Sequence, residues 1–138
     1  MSLNEEDRIT IVRYRIERAE NAFLQAKANF KMGFVEVTAN RLYYAAYYAV
    51  SALLIANKIP AHSHDGNISQ FGLHFVKTGK VDKENGKLLN RLFTMRLTGD
   101  YSDRFNLRAE DIESFIEPTA TFIKTVSHLA LVSLQSED

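Results

Sequence analysis

Residues 40–50 read Asn-Arg-Leu-Tyr-Tyr-Ala-Ala-Tyr-Tyr-Ala-Val, with four tyrosines and a single charged residue, Arg41. Side chains three or four positions apart share one face of a helix, so the stretch gives two neighbouring stripes. One stripe consists of Tyr43, Tyr47 and Val50, and the other of Tyr44, Tyr48 and Ser51. The alanines between the tyrosines let another helix approach closely. Because a buried tyrosine hydroxyl needs a partner, the stretch predicts a central helix whose polar tips are the first place to look for chemistry.

Composition fits a single domain that spans residues 1–138, because the chain is long enough to bury a core and its hydrophobic content is 46%. The absence of cysteine excludes disulfides and thiolate metal sites. No apolar run is long enough to span a bilayer, and residues 1–20 show no signal-peptide pattern. We therefore expect a cytoplasmic protein with no membrane association.

Charge is distributed unevenly although the net charge is zero. Residues 77–108 contain eight basic and four acidic residues, whereas residues 109–138 contain one lysine and six acidic residues. The basic segment is able to meet phosphate groups, and an acidic final helix would repel them. The other interpretation is that these are two solvated faces that partly pair with each other.

A long amphipathic helix is predicted for residues 5–31, where apolar residues recur at steps of three and four. Asn4 is placed to cap its beginning, and Gly33 to end it. A second helix is predicted for residues 34–57 and contains the tyrosines. The arginines of the first helix fall mostly on its outer face: Arg8, Arg15 and Arg18.

The second half of the chain also favours helices, and no stretch is typical of a strand. A polar loop at 61–67 precedes a short helix at 68–76, and a fourth helix begins after Asp82 and ends near Gly99. Residues 100–107 are polar and irregular. The last helix begins near Arg108 or Ala109, and Pro118 predicts a kink or restart near Glu117. The fold class is therefore all-α, an up-and-down bundle of four long helices plus a short one.

Four motifs occur in a characteristic order: Asn-Arg-Leu-Tyr-Tyr-Ala at 40–45, His-Asp-Gly at 64–66, Phe-Gly-Leu-His-Phe-Val-Lys-Thr-Gly at 71–79 and Arg-Leu-Thr-Gly-Asp-Tyr at 96–101. Together they resemble the HEPN superfamily, and specifically its UPF0332 branch of small prokaryotic proteins. The resemblance covers residues 31–134 and implies a helical bundle that is usually a homodimer. Many members are metal-independent endoribonucleases, and others bind nucleotides or are noncatalytic. Many bacterial members are paired with a nucleotidyltransferase as a toxin–antitoxin module.

Catalytic members of the superfamily carry an Arg-x(4–6)-His motif, which this chain lacks. No arginine lies five to seven residues before any of its four histidines. Anchored on Arg96, the position of the histidine is occupied by Tyr101, with Asp100 beside it. A partner nucleotidyltransferase modifying Tyr101, as happens to a nearby tyrosine in some related toxins, is a further hypothesis.

Metal-free RNA cleavage needs a base, a cation for the phosphate and an acid. We predict that Arg96 holds phosphate, that Asp100 and Tyr101 position it or orient Arg96, and that His64 carries the proton. The predicted substrate-binding residues are Arg41, Tyr44 and Arg104. We expect no cofactor and no metal, because the His62-Ser63-His64-Asp65 run is short of the four ligands of a structural zinc site.

The alternative function is that of a noncatalytic homodimeric interaction module. In this interpretation the Arg/Asp/Tyr motif is a structural lock, and the protein acts through its dimer surface. The two interpretations differ in what surrounds Arg96. Convergence with His64 and Tyr101 in an open basic cleft favours RNA or nucleotide chemistry, and a covered ion pair with Asp100 or Asp103 favours the lock.

Overall fold

Helices account for the regular structure in the computed structural model, which describes residues 3–101 and 107–135 and gives only the backbone of 99–101. They are α1 (Glu5–Lys31), α2 (Val35–Ala56), α3 (His64–Phe71), α4 (Lys83–Tyr101), α5 (Ala109–Glu113) and α6 (Ile116–Gln135). A π-helical segment, Gly72–Val76, continues α3. None of the described residues forms a strand, so the all-α prediction is confirmed. None of the described helices is long and apolar enough to cross a membrane.

Helix α2 is the centre of the bundle, because 13 of its 22 residues are buried. It packs along α1 and also contacts α4 and α6. The buried face of α1 is made mainly of small residues, among them Ala19, Ala22 and Ala26. Small side chains let two helix backbones approach closely, so the α1–α2 contact depends on these alanines.

The ends of α1 follow the prediction. Asn4 Oδ1 accepts a hydrogen bond from the backbone N–H of Asp7 at 2.7 Å. Gly33, just after the helix, has a φ of +82°, a left-handed conformation that favours glycine. Arg8 departs from its predicted outer position, since it is 7% exposed and donates to the carbonyl oxygen of Ile55 at 2.8 Å. Its guanidinium is buried because it satisfies a carbonyl near the end of α2.

The predicted loop at 61–67 is partly wrong, because α3 already begins at His64. Ser63 caps this helix, with Oγ accepting from the backbone N–H of Gly66 at 2.9 Å. Asp65 in the first turn suits the positive end of the helix dipole. His64 is therefore fixed at the start of a helix rather than carried on a loop.

Helix α4 begins directly after Asp82, as predicted, but it continues through Tyr101 and so passes the predicted end at Gly99. Gly86, inside this helix, faces the π-helical segment. A Cβ added there would lie 3.2 Å from Val76 Cγ2, closer than ordinary contact. The absence of a side chain at Gly86 thus allows the π-helical segment to approach α4.

Pro118 lies in the first turn of α6, which begins at Ile116 after α5 has ended at Glu113. A proline is tolerated in a first turn because the N–H groups there have no intrahelical acceptor. The predicted restart near Glu117 is therefore confirmed.

Enlarging a small residue of α1 tests the close α1–α2 contact. Ala26 is 0% exposed, whereas Ala28 on the same helix is exposed. Ala26→Leu should lower the free energy of unfolding by about 1–3 kcal/mol because the added carbons have no space. Ala28→Leu, the matched control, should change it by less than about 0.5 kcal/mol. Urea denaturation followed by circular dichroism measures both, and equal effects would contradict the close packing.

Candidate functional site

Aromatic and basic side chains from α2, α3 and α4 meet at one end of the tyrosine stripes. We call this group the His64–Arg96 cluster, and its members are Tyr43, Tyr44, Tyr47, His64, Phe93 and Arg96. Helix α2 supplies the tyrosines, the first residue of α3 supplies the histidine, and α4 supplies the remaining two side chains. Residues far apart in sequence are thus brought together by the packing of three helices.

His64 is held by the buried Tyr43. The two side chains approach to 2.7 Å between Tyr43 Oη and His64 Nδ1, and Tyr43 is 0% exposed. The imidazole ring also packs against Tyr47, with ring centroids 4.7 Å apart, and is stacked on Phe93 at 6.2 Å. These contacts fix the plane of the imidazole, and the bond at Nδ1 leaves Nε2 as the nitrogen for another partner.

Arg96 lies across the faces of two tyrosines. Its Cζ is 5.4 Å from the ring centroid of Tyr44 and 5.8 Å from that of Tyr43, within the range of cation–π attraction. Its Nη2 donates to the Tyr44 hydroxyl at 3.3 Å. The guanidinium is partly buried and therefore keeps a defined position beside His64.

Burial lowers the pKa of His64 from its ordinary value, and the positive charge of Arg96 lowers it further, while Asp65 opposes both. The imidazole is therefore predominantly neutral at pH 7 and able to accept a proton. Burial raises the pKa of Tyr43, and the neighbouring Tyr47 and Tyr44 add to this. Tyr43 consequently remains a phenol, whose hydroxyl either donates to Nδ1 or accepts from it.

The predicted residues His64, Arg96, Arg41 and Tyr44 meet, with Tyr44 as their common contact. The imidazole of His64 lies edge-on to the Tyr44 ring at 5.7 Å, and the Cζ of Arg41 lies 5.3 Å from the ring centroid. Arg41 is held by Gln25 Oε1 at 3.1 Å from Nη1 and by its neighbour Asn40. The side chains of Asp100, Tyr101 and Arg104 fall outside the described residues.

Sequence reasoning missed Tyr43, Tyr47 and Phe93 as members of the site, because their helical spacing favours a packing role. The signal for Tyr43 was its hydroxyl, which needs a partner once the ring is buried. Phe93 gave no such signal, since an apolar ring on a buried stripe is indistinguishable from any other core residue.

Two open depressions flank the cluster on α2. One has a volume of about 260 Å³ and is lined by Arg18, Arg41 and Tyr48, among others. The other, about 270 Å³, is lined by Tyr47 and His62. Within the described part of the chain, no group of three or more His, Asp or Glu side chains is arranged to hold a metal ion.

Comparison with known proteins gives consistent matches. A family model described as HEPN domain matches residues 12–129. A Thermotoga maritima protein named "UPF0332 protein" is 37% identical over 127 residues, 92% of this chain and 95% of that protein. A Methanocaldococcus jannaschii protein whose name begins "Putative toxin" is 29% identical over 115 residues, 83% of this chain and 78% of that protein. These matches confirm the resemblance drawn from the four motifs.

Substituting its charged neighbours tests the electrostatic environment of His64. Arg96→Gln removes a positive charge and should raise the pKa of His64, whereas Asp65→Asn removes a negative charge and should lower it. Proton NMR titration of the imidazole resonances measures both shifts, with His128 on α6 as an internal reference. Shifts of the same sign in the two variants would contradict the arrangement.

Proposed function

The chain belongs to the HEPN domain family, and on this premise we propose that it is a toxin-type member that binds RNA and cleaves it at the His64–Arg96 cluster. The observation that carries the proposal is the meeting of a neutral histidine and a fixed guanidinium at Tyr44. The toxin-type role is supported by the names of the M. jannaschii relatives.

His64 acts as the base in the proposed reaction. Its Nε2 takes the proton of a ribose 2′-hydroxyl, and the 2′-oxygen attacks the adjacent phosphorus. When His64 Nδ1–H donates to Tyr43 Oη, the lone pair needed for this step lies on Nε2. Tyr43 thus fixes the position of the base, and its hydroxyl is able to accept from the tautomer that this step requires.

Arg96 stabilises the charge that develops on the phosphate as the 2′-oxygen attacks. Its planar fork suits phosphate oxygens, and its contacts with Tyr43 and Tyr44 hold the fork before substrate arrives. The Tyr44 hydroxyl accepts from Arg96 and keeps its own proton to donate to the leaving 5′-oxygen. The P–O5′ bond breaks as this proton is transferred, leaving a 2′,3′-cyclic phosphate and a 5′-hydroxyl.

This arrangement differs from the Arg-x(4–6)-His motif, because the histidine comes from α3 rather than from the turn after the arginine. Asp100 and Tyr101 are proposed to orient Arg96, and Arg104 to contact substrate. We also propose that the protein is a cytoplasmic homodimer with a nucleotidyltransferase partner. The homodimer and the partner are supported by the family resemblance.

The alternative is a noncatalytic interaction module, and one observation favours it. The Arg96 guanidinium is packed over two tyrosine rings and bonded to Tyr44, which is also how a structural lock between α2 and α4 is built. In that case Arg96 contributes to stability and the protein acts through its surface.

Cleavage of a mixed cellular RNA pool in EDTA tests the function. His64→Ala and Arg96→Ala should each reduce the rate by about 10²-fold or more. Arg96→Ala should change the melting temperature little, whereas His64→Ala should lower it because the buried Tyr43 hydroxyl loses its partner. Arg91→Ala is the matched control for Arg96→Ala, because it also removes one arginine from α4, at an exposed position. This variant should cleave RNA at the wild-type rate. No cleavage by wild type, together with a large loss of stability in Arg96→Ala, would favour the lock.

The rate of cleavage should also increase with pH and reach a plateau. The base form of His64 is required, so the rate should rise with pH up to the lowered pKa of His64 and then level off. In Tyr43→Phe the imidazole loses its Nδ1 partner, and the plateau rate should fall while the fold is kept. Initial rates between about pH 4 and 9 measure the profile, and a rate that is flat across this interval would exclude His64 as the base.

A further inference from the structure

Four arginines lie along the stripe of α2 formed by Tyr44, Tyr48 and Ser51, and their guanidinium groups contact these side chains one after another. We call this row the arginine ladder, and its members are Arg96, Arg41, Arg18 and Arg15. The first two meet at Tyr44, as described above. Arg18 donates to the Tyr48 hydroxyl at 2.7 Å, with its Cζ 4.6 Å from that ring. Arg15 donates to Ser51 Oγ at 2.8 Å.

The ladder has a definite direction and length. Tyr44, Tyr48 and Ser51 succeed one another at steps of four and three, so they form a single row along α2. At a rise of 1.5 Å per residue this row is about 10 Å long. One end, at Tyr44, lies within the His64–Arg96 cluster. At the other end Arg15 and Ser51 line the depression that also contains Tyr47.

The guanidinium groups of Arg15, Arg18 and Arg41 are held by neutral partners in the part of the chain whose side chains the structure describes. None of the ion pairs formed within residues 3–98 and 107–135 includes Arg15, Arg18 or Arg41. Glu17 is the carboxylate that lines the depression beside Arg18 and Arg41. Hydroxyl and amide oxygens orient these cations without neutralising them, so the surface retains its attraction for anions.

We propose that the arginine ladder binds the phosphate backbone of single-stranded RNA and guides it to the His64–Arg96 cluster. The inference rests on the proposed function, since the ladder would bind the part of the RNA that extends from the proposed site of cleavage. Guanidinium forks match phosphate oxygens, and aromatic rings beside them offer faces on which unpaired bases stack. Tyr48 and the 52% exposed Tyr14, both bonded to Arg18, provide such rings.

A second copy of the chain fits this surface less well than RNA. A two-fold interface centred on the ladder would place the same arginines of both copies close together. Like charges brought together in this way are unfavourable. RNA instead brings a negatively charged phosphate group to these arginines.

Fluorescence anisotropy of a labelled single-stranded RNA of about 12 nucleotides, within the range of known site sizes, tests the ladder. The His64→Ala protein in EDTA is used as the background, so that binding is measured without cleavage. Arg18→Ala and Arg41→Ala should each weaken binding and reduce the slope of log K against log[salt] by about 0.7, the value for one lost phosphate contact. Glu17→Gln should tighten binding, and Arg91→Ala should retain most of the affinity.

The outcomes separate this inference from the cleavage proposal. Unchanged affinity and slope in Arg18→Ala and Arg41→Ala would overturn the ladder even if the wild-type protein cleaves RNA. Ladder-dependent binding without cleavage by the wild type would support the ladder and overturn the cleavage step. No RNA binding would overturn both. A change in sedimentation of these two variants with unaltered RNA affinity would assign the surface to contacts between copies, which also overturns the ladder.

Discussion

The structure depends on the burial of the Tyr43 hydroxyl within the bundle. Tyr43 is fully buried, and a buried hydroxyl without a partner costs about 1–3 kcal/mol. His64 Nδ1 supplies that partner at 2.7 Å, which couples the first turn of α3 to the middle of α2. The core thus places the imidazole, since moving α3 away would leave Tyr43 unsatisfied. A requirement of stability thereby fixes the position of the residue with the most useful chemistry.

The same burial controls the charge of the site. A histidine that is partly removed from water and faces a guanidinium has a lowered pKa, so His64 does not add a second positive charge beside Arg96 at neutral pH. Arg96 stays charged at any physiological pH, and the faces of Tyr43 and Tyr44 replace part of its lost hydration. The site therefore combines a neutral base with a permanent cation, two groups that metal-free phosphoryl chemistry requires together.

The sequence predicts the helices well because their signals are local. The periodicity of residues 5–31, the cap at Asn4 and the proline at 118 each act within one or two turns. The sequence places the start of α3 too late because four polar residues suggest a loop, whereas Ser63 makes them a capped first turn. The meeting of His64 with Arg96 is not derivable from spacing. It depends on the rotation of α4 and the placement of α3 against α2, which only packing determines.

The arginine ladder is a second arrangement that spacing within one helix does not predict. The stripe of Tyr44, Tyr48 and Ser51 is readable from sequence, but its arginines come from three helices, α1, α2 and α4. Tyr43 and Tyr44 are adjacent and therefore point about 100° apart on the helix. One faces the core and binds His64, while the other is partly exposed and contacts Arg96 and Arg41. Because these neighbouring residues face the core and the surface, one turn of α2 contributes both to the packing of the bundle and to the accessible part of the cluster.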